Sequence, residues 1–410
     1  MSLRDYSYYE ANAADVKLDE IISTNKPEED VFFSKQTLQR LREDNLDKIT
    51  FRKVTVGRRY GDDSYFAFSE GDDLGWLGYF IGRSKSLREL IIERWSEDVI
   101  HALSDGIARN RSIQTVTVRK LSSDVFAAVA RTLMNLTQLE ELNVSNYFDY
   151  DVMRDPLNPL RPLNDCVALG NLLESGVRLK CFSLEDYHIG DAGVTFLGRG
   201  LRSIGSSLKR LHLCDCIIGN EGLSTLAVAL DNCVSIKKLR LDNNDFSMAA
   251  GGLRSLSVSL QRARIQLDEL RLWGCRINDE GLQALIEGII DHCKPLDHLS
   301  SLQLLDLSCN NFGNEGLSTL AVALANCTSL KKLYLDYNDF SMAAGGLRSL
   351  SVSLQRTRIQ LDELRLWGCR INDEGLQAFV EGESLDHLSN YNYLIWERIT
   401  LGMMDCLLWR

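Results

Sequence analysis

Residues 302–312 read LQLLDLSCNNF, and residues 330–340 read LKKLYLDYNDF. Both fit the pattern L-x-x-L-x-L-x-x-N-x-F. Because the second and third leucines are two residues apart, their side chains point to the same side of an extended strand. The asparagine follows the strand, where its amide can bond open backbone groups of a neighbouring coil. The pattern predicts a short strand in a repeating coil.

The same pattern recurs along most of the chain, and Cys and Asn alternate at its ninth position over part of the chain. Clear copies begin at Leu208, Ile236, Leu267, Leu302, Leu330 and Leu361, and looser ones at Leu46, Leu87, Ile113, Leu139 and Leu179. The residues between copies have helical spacing, as in 222–230. These features predict an α/β leucine-rich-repeat solenoid (horseshoe) of about ten or eleven repeats, with a parallel β-sheet on the concave face and α-helices on the convex face.

The repeats occupy most of the chain but not its ends. We predict three segments: an N-terminal flanking or capping segment, 1–45; a leucine-rich-repeat domain, 46–385; and an irregular C-terminal segment, 386–410. Within the first, the amphipathic stretch Thr37 to Leu46 is expected to cover the open end of the first coil. Two stretches interrupt the repeats and are predicted to be loops: 57–73, and the proline-containing 155–162.

Part of the repeat domain is duplicated. Residues 220–288 recur at 314–382, an offset of 94 residues, with eight differences in 69 positions. Exposed positions match as well as buried ones, and packing alone does not require that. The sequence therefore indicates an internal duplication of a block of three repeats.

Charge and cysteine content suggest a class of partner and a compartment. The net charge is −11, from 46 Lys and Arg against 57 Asp and Glu, which is atypical of proteins that bind nucleic acids or anionic membranes. We therefore expect a protein partner, no nucleic acid and no membrane; the oligomeric state stays open. The first twenty residues are polar and acidic, so we expect a cytoplasmic or nuclear protein that is not secreted. The eleven scattered cysteines are then expected to be reduced, with Cys216, Cys275 and Cys369 buried.

Two longer stretches carry a family resemblance. Residues 273–281 read WGCRINDEG, and residues 306–316 read DLSCNNFGNEG. The chain resembles, over about 87–385, the ribonuclease-inhibitor-like class of leucine-rich repeats, which includes Ran GTPase-activating proteins and the repeat regions of NOD-like receptors. The resemblance implies a non-catalytic scaffold that binds a protein on its concave face as adaptor, sensor or inhibitor. The alternatives are a Ran-type activator of a small GTPase and a ribonuclease inhibitor.

Motifs of catalysis, cofactor binding and metal binding are missing from the sequence. It has no P-loop, H-E-x-x-H or G-x-S-x-G motif. His292, Cys293 and His298 fit no standard zinc spacing, and residues 242–246 lack the glycine and an oxygen ligand of a calcium loop. We therefore predict no catalytic residue, no cofactor and no metal.

The exposed positions of the predicted sheet remain as candidates. Stacked repeats place these side chains in columns that are rich in Arg, Tyr and Trp, residue types that often anchor protein interfaces. We predict that the partner contacts Arg210, His212, Lys238, Arg240, Arg271, Trp273, Lys332, Tyr334, Tyr337, Arg365 and Trp367. The resemblance to ribonuclease inhibitor implies that the two tryptophans face the ligand. Alternatively, Arg–Glu pairs and Trp–Arg stacking cover the sheet and bind nothing.

Overall fold

The chain folds into two compact units. The structure is a computed structural model that describes residues 6–53, 64–145, 161–290, 301–324, 327, 329–356, 361–382 and 394–395. The first unit comprises 1–187 with 199–208, and the second comprises 188–198 with 209–410. Residues 155–160 of the predicted proline-containing loop and most of the C-terminal segment 386–410 lie outside the described residues. The last two residues of that predicted loop, 161–162, instead begin the helix Arg161–Glu174. The boundaries of the three predicted segments stay predictions.

The first unit alternates strands and helices after an N-terminal group of three helices. Its elements are α1 (Tyr6–Asn12), α2 (Leu18–Ile21), α3 (Glu28–Arg42), β1 (Lys48–Lys53), β2 (Tyr65–Phe68), α4 (Leu74–Arg83), β3 (Glu89–Glu93), α5 (Glu97–Arg109), β4 (Thr115–Arg119), α6 (Ser123–Leu133), β5 (Glu141–Ser145), α7 (Arg161–Glu174) and β6 (Cys181–Glu185). The strands are parallel, in the order β2-β1-β3-β4-β5-β6.

The first edge of this sheet differs from the prediction. The stretch 57–73, predicted to be a loop, contains β2, which pairs outside β1 and forms the edge. Helix α3 begins nine residues before the predicted Thr37 and covers this edge. Its Ser34 Oγ accepts from the Ala67 N–H at 3.2 Å, and its Thr37 Oγ1 donates to the Tyr65 carbonyl at 2.9 Å. Side chains of α3 thus satisfy backbone groups that an open edge would leave free.

The second unit contains the clear repeats. After α8 (Gly190–Ile204), which contributes to both units, its elements are β7 (Arg210–Cys214), α9 (Asn220–Leu230), β8 (Lys238–Arg240), α10 (Ala250–Arg262), β9 (Glu269–Arg271), α11 (Asp279–Ile290), β10 (Leu304–Asp306), α12 (Asn314–Leu324), β11 (Lys332–Tyr334), α13 (Ala344–Arg356), β12 (Glu363–Arg365), α14 (Asp373–Gly382) and β13 (Leu394–Ile395). The strands are parallel and follow chain order from β7 to β13. This is the predicted leucine-rich-repeat solenoid.

Inward asparagines join successive coils. The Asn244 side chain donates to the Leu213 and Leu241 carbonyls, both at 2.8 Å, and accepts from the Ile218 N–H at 2.9 Å. Asn310 and Asn338 repeat this arrangement in later coils. The predicted asparagine ladder is confirmed, and each amide satisfies buried backbone groups of the coil before it.

Removing one ladder amide should destabilise the second unit. Asn310→Ala leaves the Leu272 carbonyl and the Ile277 N–H without their partner, and each buried unsatisfied group costs about 1–3 kcal/mol. We expect the free energy of unfolding to fall by at least about 2 kcal/mol in urea titrations. The exposed neighbour Asn311→Ala is the control and should change it by less than about 0.5 kcal/mol. Equal effects of the two substitutions would contradict the ladder.

Cysteine replaces asparagine in three of the six clear coils, at Cys216, Cys275 and Cys369. The Cys275 thiol donates to the Leu241 carbonyl and the Cys369 thiol to the Leu335 carbonyl, both at 3.1 Å. Burial raises the pKa of Cys369 to about 12 and that of Cys275 well above its ordinary value. Cys216 is also buried. All nine cysteines within the described residues are free thiols.

Thiol reactivity should follow burial in the native protein. At pH 8 a thiol with a pKa of about 12 is ionised in about one molecule in ten thousand. We therefore expect a maleimide to label the half-exposed Cys214 and Cys309 first. Cys216, Cys275 and Cys369 should react only after denaturant is added, with sites assigned by peptide mass spectrometry. Rapid native labelling of those three would show that the ladder positions are open.

Candidate protein-binding surface

The side chains that alternate with the buried leucines of β7–β12 form one face of the second unit's sheet. We call it the sheet face and define it by the third, fifth, seventh and eighth positions of each repeat. In the strand pairing Arg210 lies beside Lys238 and His212 beside Arg240, and the same register continues to Arg365 on β12. The predicted columns of side chains are therefore confirmed.

A charged cluster surrounds Glu363 in the second copy of the duplicated block. The Glu363 carboxylate lies 3.2 Å from the Lys332 ammonium, and it accepts from the Tyr334 hydroxyl at 2.8 Å and from Arg365 Nε at 2.6 Å. The Arg365 guanidinium lies 4.2 Å from the centroid of the Tyr334 ring. Tyr334 is only 8% exposed. Its ring therefore supports Arg365 and offers little area of its own to a partner.

The first copy repeats this cluster around Glu269. Lys238 lies 2.9 Å from the Glu269 carboxylate, and Arg271 donates to it as well. Arg240 stands where the second copy has Tyr334, and it donates to Asp242 at 3.1 Å. The Arg–Glu pairing of the alternative hypothesis is therefore present in both copies. We call the two groups the Glu269 cluster and the Glu363 cluster.

The carboxylates at the centres of the clusters are stabilised in their charged form. Burial alone would raise the pKa of Glu363, but hydrogen bonds from Tyr334, Arg365 and Lys332 outweigh it and hold this pKa below its ordinary value. The pKa of Glu269 is lowered in the same way by Lys238 and Arg271, again against burial. Both carboxylates therefore stay ionised at neutral pH.

Large aromatic side chains remain exposed beside these clusters. Trp367 is 38% exposed and Tyr337 is 49% exposed. Their ring centroids are 4.4 Å apart and the ring planes are nearly perpendicular, an edge-to-face contact. Trp273, the equivalent of Trp367 in the first copy, is 40% exposed. Asn243 replaces Tyr337 there, so the aromatic pair exists only in the second copy.

Two aspartates, one buried and one half-buried, fix the backbone at both tryptophans. The Asp336 carboxylate accepts from the Trp367 N–H at 2.8 Å, and the Asp242 carboxylate accepts from the Trp273 N–H at 3.1 Å. Burial raises the pKa of both aspartates despite these hydrogen bonds. This role of the two aspartates was not predicted from the sequence. Its signal was an Asp two residues before the ladder asparagine, followed 31 residues later by Trp-Gly in both copies.

A left-handed residue at the eighth repeat position turns further side chains onto the sheet face. The φ angle is 56° at Asn243, Cys309 and Tyr337 alike. In the next coil Gly368 has φ of 69°, and a Cβ there would lie 2.7 Å from the Tyr337 ring, so this position needs glycine. Burial raises the pKa of Cys309, and a hydrogen bond with Trp273 opposes this shift. Cys309 thus belongs to the sheet face, although the sequence analysis did not include it.

The eleven predicted contact residues do not form one compact site. Five of them lie together on β11 and β12 and in the turns after them: Lys332, Tyr334, Tyr337, Arg365 and Trp367. Four lie with the Glu269 cluster, about 14 Å away by the usual strand spacing: Lys238, Arg240, Arg271 and Trp273. Arg210 and His212 are on β7, about 24 Å from β12.

Metal sites and membrane spans are the other features to consider in this part of the chain. Within the described ranges, no three His, Cys, Asp or Glu side chains are grouped so that they could hold a metal ion. Of the helices in that part of the chain, none is both long enough and apolar enough to span a membrane.

Comparison with known proteins gives the same repeats. The family described as "Leucine Rich repeat" matches residues 206–227, 267–285, 298–321 and 361–380. The ribonuclease inhibitors of Sus scrofa and Mus musculus are each 32% identical to this chain, over 217 and 218 residues. Each match covers 53% of this chain and 45% of the inhibitor, so the aligned region spans about half of the length of these relatives.

Two further proteins are similar in part. The "NACHT, LRR and PYD domains-containing protein 2" of Homo sapiens is 30% identical over 221 residues, which is 51% of this chain and 20% of that protein. The crystal structure of an internalin from Listeria monocytogenes covers 89% of this chain and 95% of its own, with 16% identity and a TM-score of 0.42. The chain therefore contains leucine-rich repeats, and about half of it is similar in sequence to ribonuclease inhibitors.

Proposed function

We propose that the chain is a non-catalytic scaffold that binds a protein partner on the sheet face, between β7 and β12. The observation that carries the proposal is the exposed Tyr337–Trp367 pair on a backbone held by Asp336. Exposed aromatic rings on a fixed backbone lose little entropy on binding and offer a large apolar area. Solenoid repeats recurrently use this face for binding.

The contrast between paired carboxylates and exposed tryptophans supports the same proposal. The carboxylates of the two clusters are engaged by hydrogen bonds, so the face brings few unsatisfied groups to an interface. The two tryptophans, by contrast, keep about two fifths of their area exposed. An interface commonly combines such apolar anchors with polar groups that are already paired.

A second candidate, inhibition of a ribonuclease, rests on the similarity to the ribonuclease inhibitors of pig and mouse. It is tested by adding the protein in increasing amounts to a pancreatic-type ribonuclease and following RNA cleavage. The role of a Ran-type GTPase activator rests only on the resemblance of the repeats; phosphate release from GTP-loaded small GTPases tests it. We further propose that the protein acts in the cytoplasm or nucleus, where buried free thiols persist.

Site-specific photo-crosslinking tests the main proposal. With p-benzoylphenylalanine at position 367 or 273, irradiation of cells that express the protein should give discrete higher-mass adducts on a denaturing gel, because both sites lie in the proposed interface. The same label at Val322 or Val228, the exposed and equivalent positions of α12 and α9, is the control and should give none. Adducts from the helix positions alone would place the interface on the other face.

The two copies also supply a matched comparison of strength. Once the cross-linked partner is identified, Trp367→Ala should weaken its binding by about 2 kcal/mol, as removal of a well-packed interface anchor does. Trp273→Ala should weaken it less, because Asn243 gives Trp273 no aromatic neighbour. Calorimetric titration measures both. Unchanged binding by Trp367→Ala would show that the Tyr337–Trp367 pair is not the anchor.

A further inference from the structure

The ion pairs of the two clusters share one orientation: the carboxylate is deep and the cation is shallow. In the Glu363 cluster the exposed side-chain fraction is 14% for Glu363, against 45% for Lys332 and 39% for Arg365. In the Glu269 cluster it is 12% for Glu269 and 47% for Lys238.

The adjoining pairs follow the same rule. Arg271 is 31% exposed above Glu269, and Arg240 is 35% exposed above Asp242, of which 9% is exposed. By comparison, in the pair Lys48–Glu89 of the first unit the two side chains are almost equally exposed, at 36% and 34%. In all five of these ion pairs on the sheet face the cation therefore lies outside its carboxylate.

The layering makes the outermost charge of the two clusters positive, although the net charge of the chain is −11. An approaching group meets the ammonium and guanidinium tips first, and the carboxylates lie behind them. Each Lys has three N–H donors and each Arg has five, so a bond to Glu363 or Glu269 leaves donors for a ligand. The carboxylates, in contrast, are already engaged by these cations.

We infer that the partner presents an acidic segment, with Asp or Glu beside an apolar side chain, to these two clusters; the inference rests on the proposed function. The apolar side chain packs on the Tyr337–Trp367 pair, and the acidic groups bond Lys332 and Arg365 next to it. A basic partner meets like charge at the same tips.

The duplication also predicts how far apart the acidic residues of the partner segment are. Equivalent residues of the two clusters are three strands apart, which is about 14 Å. An extended chain advances about 3.3–3.6 Å per residue, so acidic residues about four positions apart reach both clusters. Leu304, on the strand between them, is half-buried and provides an apolar surface at that point.

A protein segment fits this face better than a nucleic acid does. Phosphates would also be attracted to the cation tips, and bases would stack on Trp367. However, a long polyanion approaches a chain of net charge −11, and each guanidinium already donates to a carboxylate beneath it. A short acidic segment needs only the donors that remain.

Selection from a library of random twelve-residue peptides displayed on phage, with the full chain as bait, tests the inference. We expect the selected peptides to be enriched in Asp and Glu near an aromatic or aliphatic residue. Their affinity, measured by fluorescence anisotropy with synthetic peptides, should fall at least tenfold in Lys332→Glu. It should fall by a smaller factor in Lys238→Glu, the equivalent change in the first copy.

Arg348→Glu on α13 is the charge control, because it changes the net charge equally at an exposed helix position and should leave the affinity unchanged. Circular dichroism of each variant verifies the fold. A twelve-nucleotide thymidine oligomer serves as a competitor and should not displace the peptides at equal concentration.

The possible outcomes distinguish a failure of the acidic-segment inference from a failure of the proposed function. Neutral or basic peptides that lose binding in Trp367→Ala would overturn the acidic segment but keep the sheet face as the binding surface. Peptides whose affinity is unchanged by both Trp367→Ala and Lys332→Glu would count against the proposed function as well. Displacement by the oligonucleotide, with the same dependence on Lys332, would identify a nucleic-acid ligand and overturn the inference.

Discussion

Three inward asparagine side chains organise the second unit. Asn244, Asn310 and Asn338 each donate to carbonyls of their own coil and of the coil before, and accept from backbone N–H groups of that earlier coil. A buried amide with these bonds satisfied fits only one register, because any shift leaves backbone groups without partners. The coils are therefore aligned residue by residue, although β8–β12 are only three residues long.

This alignment brings functional groups together from distant parts of the sequence. Arg365 lies over Tyr334, and Trp367 contacts Tyr337, across about 30 residues of intervening chain. The same register sets Glu363 beside Lys332. The register that the ladder fixes thus determines which side chains are neighbours on the sheet face. These neighbours are already in place before a partner binds.

The sequence alone was sufficient to predict the strands, the columns and the buried cysteines, because leucine spacing and the ladder residue are local signals. Strand β2 could not be predicted: Tyr65 to Phe68 are all buried, so no alternation marks them, and the strand pairs outside β1 against chain order. The burial of individual side chains on the sheet face also could not be predicted from the sequence. Tyr334 was expected to face the partner, but Arg365 and Glu363 cover it, which only the packing of two coils reveals.

The duplication has a consequence at the level of the gene. The two copies begin 94 residues apart, a whole number of coils, and differ at eight of 69 positions. Unequal recombination between such similar stretches adds or deletes three coils while every inward leucine and ladder residue keeps its phase. Alleles of different length can therefore encode folded chains, each changing the reach of the sheet face by about 14 Å. Two of the eight differences, Arg240 to Tyr334 and Asn243 to Tyr337, already distinguish one copy from the other on that face.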